Sequence, residues 1–280
     1  MLRVVTLIEN TAGDRQDLVH EHGLSFYVER DGQAVIFDTG AGAGFLYNAD
    51  KLRIDTKSVR ALVVSHAHYD HAGGVRPFYE RNGSGIPLIT GENFFDPKYK
   101  RHRWGHNYIG VDFDSRWLQT MGVDHRGLWA GNSRTVTREI IPGVWAVNGF
   151  PGIFPEEKNN PAFVVERNGK IETDDFRDEI CLVAETGDCL AVLVACSHPG
   201  IMNMLEAIKA SFKKRINALI GGIHLIDAKA SRVKKFITYA ASLNCKCFGI
   251  AHCSGKAVQS RMKTDAKRFY HNVTGSSLYL

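Results

Sequence analysis

Several features that mark special classes of protein are missing from this 280-residue sequence. No apolar run approaches the roughly 20 residues that a transmembrane helix needs, so we expect no membrane partner. The first residues lack the charged start, apolar stretch and small-residue cleavage site of a secretory signal peptide. The six cysteines form no Cys-x-x-Cys pair, and a chain of this size can bury its core without disulfides. We therefore expect a cytoplasmic protein with reduced thiols.

The sequence also has little excess charge. Its 35 Lys and Arg residues against 30 Asp and Glu residues give a formal net charge of +5 at pH 7. A mildly basic chain suits a small anionic substrate, but this charge is too weak to indicate a nucleic-acid partner. The composition is otherwise that of an ordinary globular protein and carries no signal for an oligomeric state.

Short apolar strands alternate with helices along the chain, which predicts an α/β fold. Apolar residues recur at helical spacing from Ile201 to Phe212 and from Val233 to Ala240, and a buried-type strand follows each helix at 217–220 and 247–251. Residues 61–65 form a continuous apolar run that predicts a strand buried on both faces. Further predicted strands are Leu2–Ile8, Leu24–Glu29, Ala34–Phe37, Pro87–Thr90, Val144–Val147, Ala162–Glu166, Ile180–Glu185 and Leu190–Ala195.

Residues 92–136 differ from the rest, because they are rich in aromatic, basic and glycine residues with little periodicity. This pattern predicts a long functional loop or lid, inserted in a single domain that spans residues 1–280. Cations there could bind phosphate and rings could stack on a planar group. The candidate substrate residues are Lys98, Arg101, Arg103 and Trp104. An exposed basic loop with incidental aromatic residues is an equally good interpretation.

The strongest chemical signal is the segment 65–71, Ser-His-Ala-His-Tyr-Asp-His, at the end of the predicted strand 61–65. Imidazole nitrogens and carboxylate oxygens are the ligands that zinc, iron and manganese accept. In an extended segment, the side chains of His66 and His68 point to the same side. Asp70 and His71 can then face a second, adjacent cation. A histidine-rich surface loop is the alternative, and the spacing after an apolar strand argues against it.

Three further histidines lie where predicted strands end. His198 follows the strand 190–195, His224 follows 217–220 and His252 follows 247–251. Functional sites of α/β folds lie at the carboxyl ends of their strands. We therefore expect these histidines and the segment 65–71 to form one common site.

For other polar residues near these histidines we expect structural roles and no part in the chemistry. Cys196 and Cys253 lie in no redox motif, so we expect them to fill space in the core. Asp175, Asp178 and Glu179 precede a predicted strand, and we expect solvated loop carboxylates there. One of them could instead reach a metal or an amine-bearing substrate.

These motifs resemble the metallo-β-lactamase superfamily. Within it, they look like a branch that contains a pterin-related phosphate synthase and bacterial metal-dependent hydrolases. The matching segments are 22–25 (His-Gly-Leu-Ser), 37–40 (Phe-Asp-Thr-Gly), 65–74 (Ser-His-Ala-His-Tyr-Asp-His-Ala-Gly-Gly), 196–200 (Cys-Ser-His-Pro-Gly), 221–225 (Gly-Gly-Ile-His-Leu) and 252–255 (His-Cys-Ser-Gly). For Asp38 we expect hydrogen bonds that hold the ligand segment rather than a catalytic role.

The resemblance implies a four-layer αββα sandwich of two mixed sheets with the metal site at one edge. It also implies two divalent cations, zinc being the first expectation and iron, manganese or magnesium the alternatives. By family pattern the ligands of the two cations would be His66, His68 and His198, and Asp70, His71 and His252. Where the superfamily usually supplies a bridging aspartate, this chain has Cys196-Ser197-His198.

The expected function is that of a metal-dependent hydrolase or transferase. The first hypothesis is action on a phosphorylated or diphosphate-bearing metabolite, with pterin-related transfer as one case. The second is a phosphodiesterase or lactonase that uses a metal-bound hydroxide, and the third is an iron-dependent redox protein. Asp70 and His224 are the candidate catalytic residues, and for His224 we expect substrate contact or proton transfer.

Overall fold

The computed structural model describes residues 1–131, 135–264 and 268–280. The strands in these ranges are β1 Leu2–Ile8, β2 Ser25–Arg30, β3 Gln33–Phe37, β4 Leu62–Val63, β5 Leu88–Gly91, β6 Lys98–His102, β7 Gly105–Tyr108, β8 His125–Leu128, β9 Val136–Ile141, β10 Val144–Asn148, β11 Phe163–Arg167, β12 Lys170–Thr173, β13 Ile180–Thr186, β14 Cys189–Val194, β15 Arg215–Gly221, β16 Cys247–Ile250 and β17 Ser277–Tyr279. The helices are α1 Gly44–Lys51, α2 Tyr69–Ala72, α3 Val75–Asn82, α4 Ser115–Met121, α5 Ile201–Phe212, α6 Ala230–Ser242 and α7 Lys256–Lys263, with a 3-10 turn at His252–Ser254.

Two mixed sheets form the centre of the fold. The first has the strand order β17-β1-β2-β3-β4-β5-β8, and the second has the order β16-β15-β14-β13-β10-β9. In the first sheet β3, β4, β5 and β8 run parallel to one another. In the second sheet β14, β15 and β16 run parallel, and all other neighbouring strands of the two sheets are antiparallel. A third, antiparallel sheet has the order β12-β11-β6-β7 and was not predicted.

The two large sheets pack face to face, because alternate residues of their strands are apolar. Val28 and Phe37 of the first sheet share one buried cluster with Leu182, Leu193 and Ile220 of the second. The opposite face of the first sheet is covered by α1 and α3. The opposite face of the second sheet is covered by α5 and α6. The predicted αββα sandwich of two mixed sheets is therefore confirmed.

The stretch 92–136 contains regular elements and is therefore not one long loop, while its role as a lid or insertion stays a prediction. It holds the hairpin β6–β7, helix α4 and strand β8, and its residues 132–134 lie outside the described ranges. Phe94 and Phe113 are buried in the cluster under α3. The hairpin could not be predicted from apolar periodicity, because its residues are mostly polar and it pairs with β11 in the separate small sheet.

The sandwich brings several strand ends to one edge. The segment after β4 holds His66 to His71, the segment after β14 holds His198, and β16 leads into His252. Among the described residues, no helix combines the length and apolar character needed to cross a bilayer.

Candidate metal centre

Three imidazoles from two strand ends form the first group of potential ligands. His66 Nε2 lies 3.0 Å from His68 Nδ1, and the His198 ring centroid lies 4.9 Å from that of His66 and 5.1 Å from that of His68. One ligand atom from each of the three lies within 4.8 Å of the others. Phe176 stacks on the His198 ring at 3.9 Å, which fixes the orientation of that imidazole. The structure therefore brings together the three residues that the family pattern assigns to one cation.

The second group meets around one oxygen of Asp70. His71 Nε2 lies 3.7 Å from Asp70 Oδ2, and His252 Nε2 lies 3.6 Å from the same atom. A further histidine, His22, places its Nε2 3.2 Å from Asp70 Oδ2. His66 joins the two groups, because its ring centroid is 4.3 Å from that of His71. The six residues of the family pattern thus form one continuous cluster.

Asp38 orients this cluster through hydrogen bonds, as the sequence predicted. Its carboxylate accepts hydrogen bonds from the Ser65 amide at 2.7 Å and from the Ser65 hydroxyl at 2.8 Å. It also lies 2.7 Å from His71 Nδ1. A carboxylate on one ring nitrogen fixes the imidazole so that Nε2 points to the site. Asp38 is buried and reaches these partners from the turn after β3.

Burial and mutual repulsion set the protonation of the histidines. Burial, and then the neighbouring imidazoles, lower the pKa of His66 well below its usual value. Burial likewise lowers the pKa of His68 and of His198 well below the usual value. Near pH 7 these rings are neutral and offer lone pairs. Burial also lowers the pKa of His71, but the carboxylates of Asp70 and Asp38 outweigh it and raise that pKa to about 9.

The donor set fits a metal centre. Nε2 of His198 is buried and has no hydrogen-bond partner in the described part of the protein. Such an orphaned nitrogen costs free energy unless another group satisfies it. Neutral imidazoles together with one carboxylate are the ligands that zinc and iron accept. A cation at His71 Nε2 would replace the proton that Asp70 and Asp38 otherwise stabilise there.

Cys196 and Cys253 are both buried, as expected of core residues. However, Cys196 Sγ also lies 3.3 Å from His71 Nε2. The ligand atoms of Cys196, Cys253 and His252 lie within 4.8 Å of one another. Burial, and then the adjacent Cys253, raise the pKa of the Cys196 thiol well above its usual value. The thiol thus borders the site at the corner where the superfamily usually has an aspartate.

The expectation of solvated carboxylates before β13 was wrong for Asp178 and Glu179, which are both buried. Glu179 accepts a hydrogen bond from the Ser197 amide at 3.0 Å, and its other oxygen lies 3.7 Å from His66 Nδ1. Burial, and then Asp178, raise the pKa of Glu179 to about 8. Asp175 is partly exposed and pairs with Arg167 and Arg177.

The expectation that Lys98 contacts substrate was also wrong. Its side chain is only 2% exposed and forms ion pairs with Asp174 at 2.6 Å and with Asp178 at 3.0 Å. Asp178 in turn accepts a hydrogen bond at 2.8 Å from the amide of Ala67, which lies between two of the histidines. Lys98 therefore supports the ligand segment through Asp178, and its buried ammonium already pairs with two carboxylates.

The other three residues suggested for substrate binding lie in the β6–β7 hairpin. Arg101 and Arg103 are exposed, and the Trp104 side chain is 87% exposed. The Arg103 guanidinium lies 4.7 Å from the centroid of the Trp104 ring. Arg101 is not part of this cation–π pair, and the role of the three residues in binding substrate stays a prediction.

His224 lies beside the first group of ligands. Its ring centroid is 4.4 Å from that of His198 and 5.5 Å from that of Phe163. Burial, and then the charge of Arg232, lower its pKa to about 4. The ring is therefore neutral near pH 7 and can donate one hydrogen bond and accept another. Its position suits contact with a substrate at the cluster.

Sequence reasoning missed the residues that support His252. The amide of His252 donates to Glu9 Oε1 at 2.7 Å, and its Nδ1 lies 2.8 Å from Asn10 Oδ1. Asn10 also lies 3.2 Å from Nδ1 of His22. Only the position of His22 inside a family motif could have drawn attention to this corner. Glu9 and Asn10 directly follow β1, and more than 200 residues separate them from His252.

Comparisons with known proteins give the same fold and a match to part of the same family's model. Residues 20–128 match the family model described as the metallo-beta-lactamase superfamily. The chain is 29% identical, over 97% of its own length and 94% of the relative's, to 7,8-dihydropterin-6-methyl-4-(beta-D-ribofuranosyl)-aminobenzene-5'-phosphate synthase of Methanocaldococcus jannaschii. It is also 25% identical, over 89% of both chains, to an uncharacterised protein of that organism.

A solved structure agrees closely. The crystal structure of a metal-dependent hydrolase of the β-lactamase superfamily matches 100% of this chain and 99% of its own, with a TM-score of 0.83 and 28% identity. Human tRNase Z, short form, shares the fold alone, with a TM-score of 0.58 and 10% identity over 99% of this chain and 98% of its own. The chain has the metallo-β-lactamase fold, and over nearly its whole length it is similar to enzymes of that superfamily, a synthase and a metal-dependent hydrolase.

Proposed function

We propose that this chain is a two-metal enzyme that acts on a phosphorylated or diphosphate-bearing small metabolite. The observation that carries the proposal is the orphaned, buried Nε2 of His198 next to the close pair of His66 Nε2 and His68 Nδ1. The second group of donors around Asp70 Oδ2 supports a second cation. Two adjacent cations suit a substrate with several anionic oxygens.

The two groups would hold one cation each. In the first group the ligands would be His66, His68 and His198, and in the second Asp70, His71 and His252. Zinc is our first expectation because imidazoles dominate the set, and iron or manganese would also suit it, whereas magnesium prefers oxygen ligands. When bound, such cations supply Lewis-acid stabilisation of negative charge on a phosphoryl, diphosphate or carbonyl oxygen.

The remaining residues of the site would bind and orient the substrate. His224 would donate or accept a hydrogen bond at the rim, next to His198. Phe163 contacts the rings of His68, His198 and His224 at centroid distances of 5.1–5.5 Å. Its ring would give a planar part of the substrate an apolar surface and exclude water there. Asp70 would hold the orientation of His71 and His252 through its shared oxygen.

Two reactions deserve the first tests. Pterin-related group transfer is supported by the near full-length similarity to the dihydropterin-related synthase. Hydrolysis of a phosphodiester or lactone is supported by the similarity to a metal-dependent hydrolase at a TM-score of 0.83. The Cys196 thiol at 3.3 Å from His71 bears on the third hypothesis, an iron-dependent redox protein. Metal analysis with a visible spectrum distinguishes it from the other two.

The test is a substrate screen with a matched pair of variants. Metal-loaded protein is assayed with phosphodiesters, lactones, and a pterin diphosphate together with an arylamine ribotide. Activity should fall to background in His68→Ala, whereas His102→Ala should retain it, because His102 is exposed in the β6–β7 hairpin. Equal activity in wild type and His68→Ala would reject the proposed site. Turnover of none of these substrates by the fully metal-loaded protein would reject the proposed substrate class.

A further inference from the structure

A cavity of about 660 Å³ opens beside His224, between the segment 156–161 and the beginning of α6. This volume lies in the range of sites for small metabolites. The lining is mainly basic: Lys158, Lys229, Arg232 and Lys235 face it, together with Glu156 and Asp227. Four cations against two carboxylates give the cavity a positive potential, which attracts anions.

The cations of the cavity are not all used within the protein. Lys235 pairs with Glu156 at 2.7 Å, but neither Lys158 nor Lys229 forms an ion pair with any residue that the structure describes. Arg232 is mostly buried, and its nearest carboxylate is Glu157 at 3.9 Å. The buried Nε of Arg232 has no hydrogen-bond partner within the described ranges. Lys158 and Lys229 are therefore available to an anion, and Arg232 has a long 3.9 Å contact to Glu157 as its ion pair.

The cavity reaches the candidate metal centre through His224. This histidine lines the cavity, and its ring also contacts His198 of the first ligand group at a centroid distance of 4.4 Å. A molecule in the cavity would thus contact His224, the residue that also contacts His198. The cations of the β6–β7 hairpin are placed differently, because Arg101 and Arg103 are not among the residues that line the cavity.

We propose that this cavity binds the phosphomonoester end of the substrate, at a distance from the bond that reacts. Lys158, Lys229 and Arg232 bind the phosphate, and His224 contacts the substrate between that end and the metal centre. This subsite rests on the proposed function, because it assumes that the substrate reacts at the histidine cluster. In this proposal the phosphate is bound in the cavity beside α6, and not by Arg101 and Arg103 of the β6–β7 hairpin.

The test measures binding of ribose 5-phosphate to the metal-loaded protein by calorimetry, with ribose as the uncharged comparison. Lys158→Ala and Lys229→Ala should each raise the Kd for ribose 5-phosphate about tenfold, which corresponds to about 1.4 kcal/mol. Lys234→Ala is the matched control, since Lys234 is exposed on α6, the helix that follows Lys229, but does not line the cavity. It should change the Kd less than twofold.

Three results would overturn the subsite. They are the absence of wild-type binding at millimolar ribose 5-phosphate, unchanged binding in Lys158→Ala and Lys229→Ala, and weakened binding in Arg101→Ala and Arg103→Ala alone. Unchanged binding in the cavity variants would mean that the phosphate is held elsewhere, for example at the metal centre. Metal content, measured on the same samples, tests the proposed function separately, because these exposed lysines lie outside both ligand groups.

Discussion

The buried ammonium of Lys98 provides the sharpest mutational test of how the ligand segment is held. Lys98→Met keeps the length of the side chain and removes its charge. Asp174 and Asp178, which lie 2.6 and 3.0 Å from the ammonium, would then be buried without their cation. Removing one partner from a buried ion pair costs about 3–5 kcal/mol, so the free energy of unfolding should fall by that amount.

The same substitution should weaken metal binding. Asp178 holds the Ala67 amide at 2.8 Å, between His66 and His68. Loss of a group that orients metal ligands lowers metal affinity about 10- to 100-fold. Burial raises the pKa of Asp178 to about 6 although Lys98 opposes this shift, so removing the ammonium should raise that pKa further. In Lys98→Met, Asp178 would be protonated at pH 5, and a neutral carboxyl group is buried at a lower cost than an unpaired carboxylate. The substitution should therefore lower the free energy of unfolding less at pH 5 than at pH 8.

The assay is urea unfolding followed by tryptophan fluorescence, on metal-free and metal-loaded protein at both pH values. Arg101→Met is the matched control, because it removes an exposed charge from the same strand and should change stability by less than about 0.5 kcal/mol. Lys98→Met combined with Asp174→Asn should recover part of the loss, since one buried charge is then removed. If Lys98→Met is as stable as wild type at pH 8, the supporting role of the ammonium is refuted.

Three further predictions concern other parts of the site. Asp38→Asn should lower metal affinity about 10- to 100-fold in a chelator competition, because the amide cannot replace the carboxylate on His71; unchanged affinity would contradict the orienting role. Cys196→Ser should abolish a near-ultraviolet sulfur-to-metal band in the cobalt-substituted protein if the thiol is a ligand, and an identical spectrum would show that it only borders the site. Gly221→Ala should lower the free energy of unfolding by about 2 kcal/mol or more, because a Cβ there would lie 1.8 Å from the Val194 carbonyl oxygen at a φ of +113°; equal urea midpoints would argue against this packing.

Patterns along the sequence were sufficient for most strands of the two large sheets, for helices α5 and α6, and for the position of the cluster. The apolar runs before His198 and His252 predicted buried strands, and the carboxyl ends of such strands meet at one edge. The role of Asp38 could also be predicted, because its turn directly follows β3, the strand that pairs with β4. These features depend on local apolar periodicity and on the order of the strands along the chain, and both can be read from a single sequence.

The buried charges could not be predicted in the same way. Lys98 and Asp178 are polar residues in polar segments, and such segments usually lie at the surface. Their burial depends on ion pairs between positions 80 residues apart, which no local pattern reveals. The support of His252 by Glu9 has the same origin, since 243 residues separate the two. Residues of this kind emerge only when the sheets and the small third sheet are assembled.

The most direct test of the central claim is the metal content of the purified chain, measured by plasma mass spectrometry after saturation and removal of unbound metal. We predict two equivalents of zinc, or of another divalent ion, in the wild type. His198→Ala should retain about one equivalent, and His102→Ala should retain two. A wild-type content below one equivalent, or two tightly bound equivalents in His198→Ala as well, would contradict the two-metal centre.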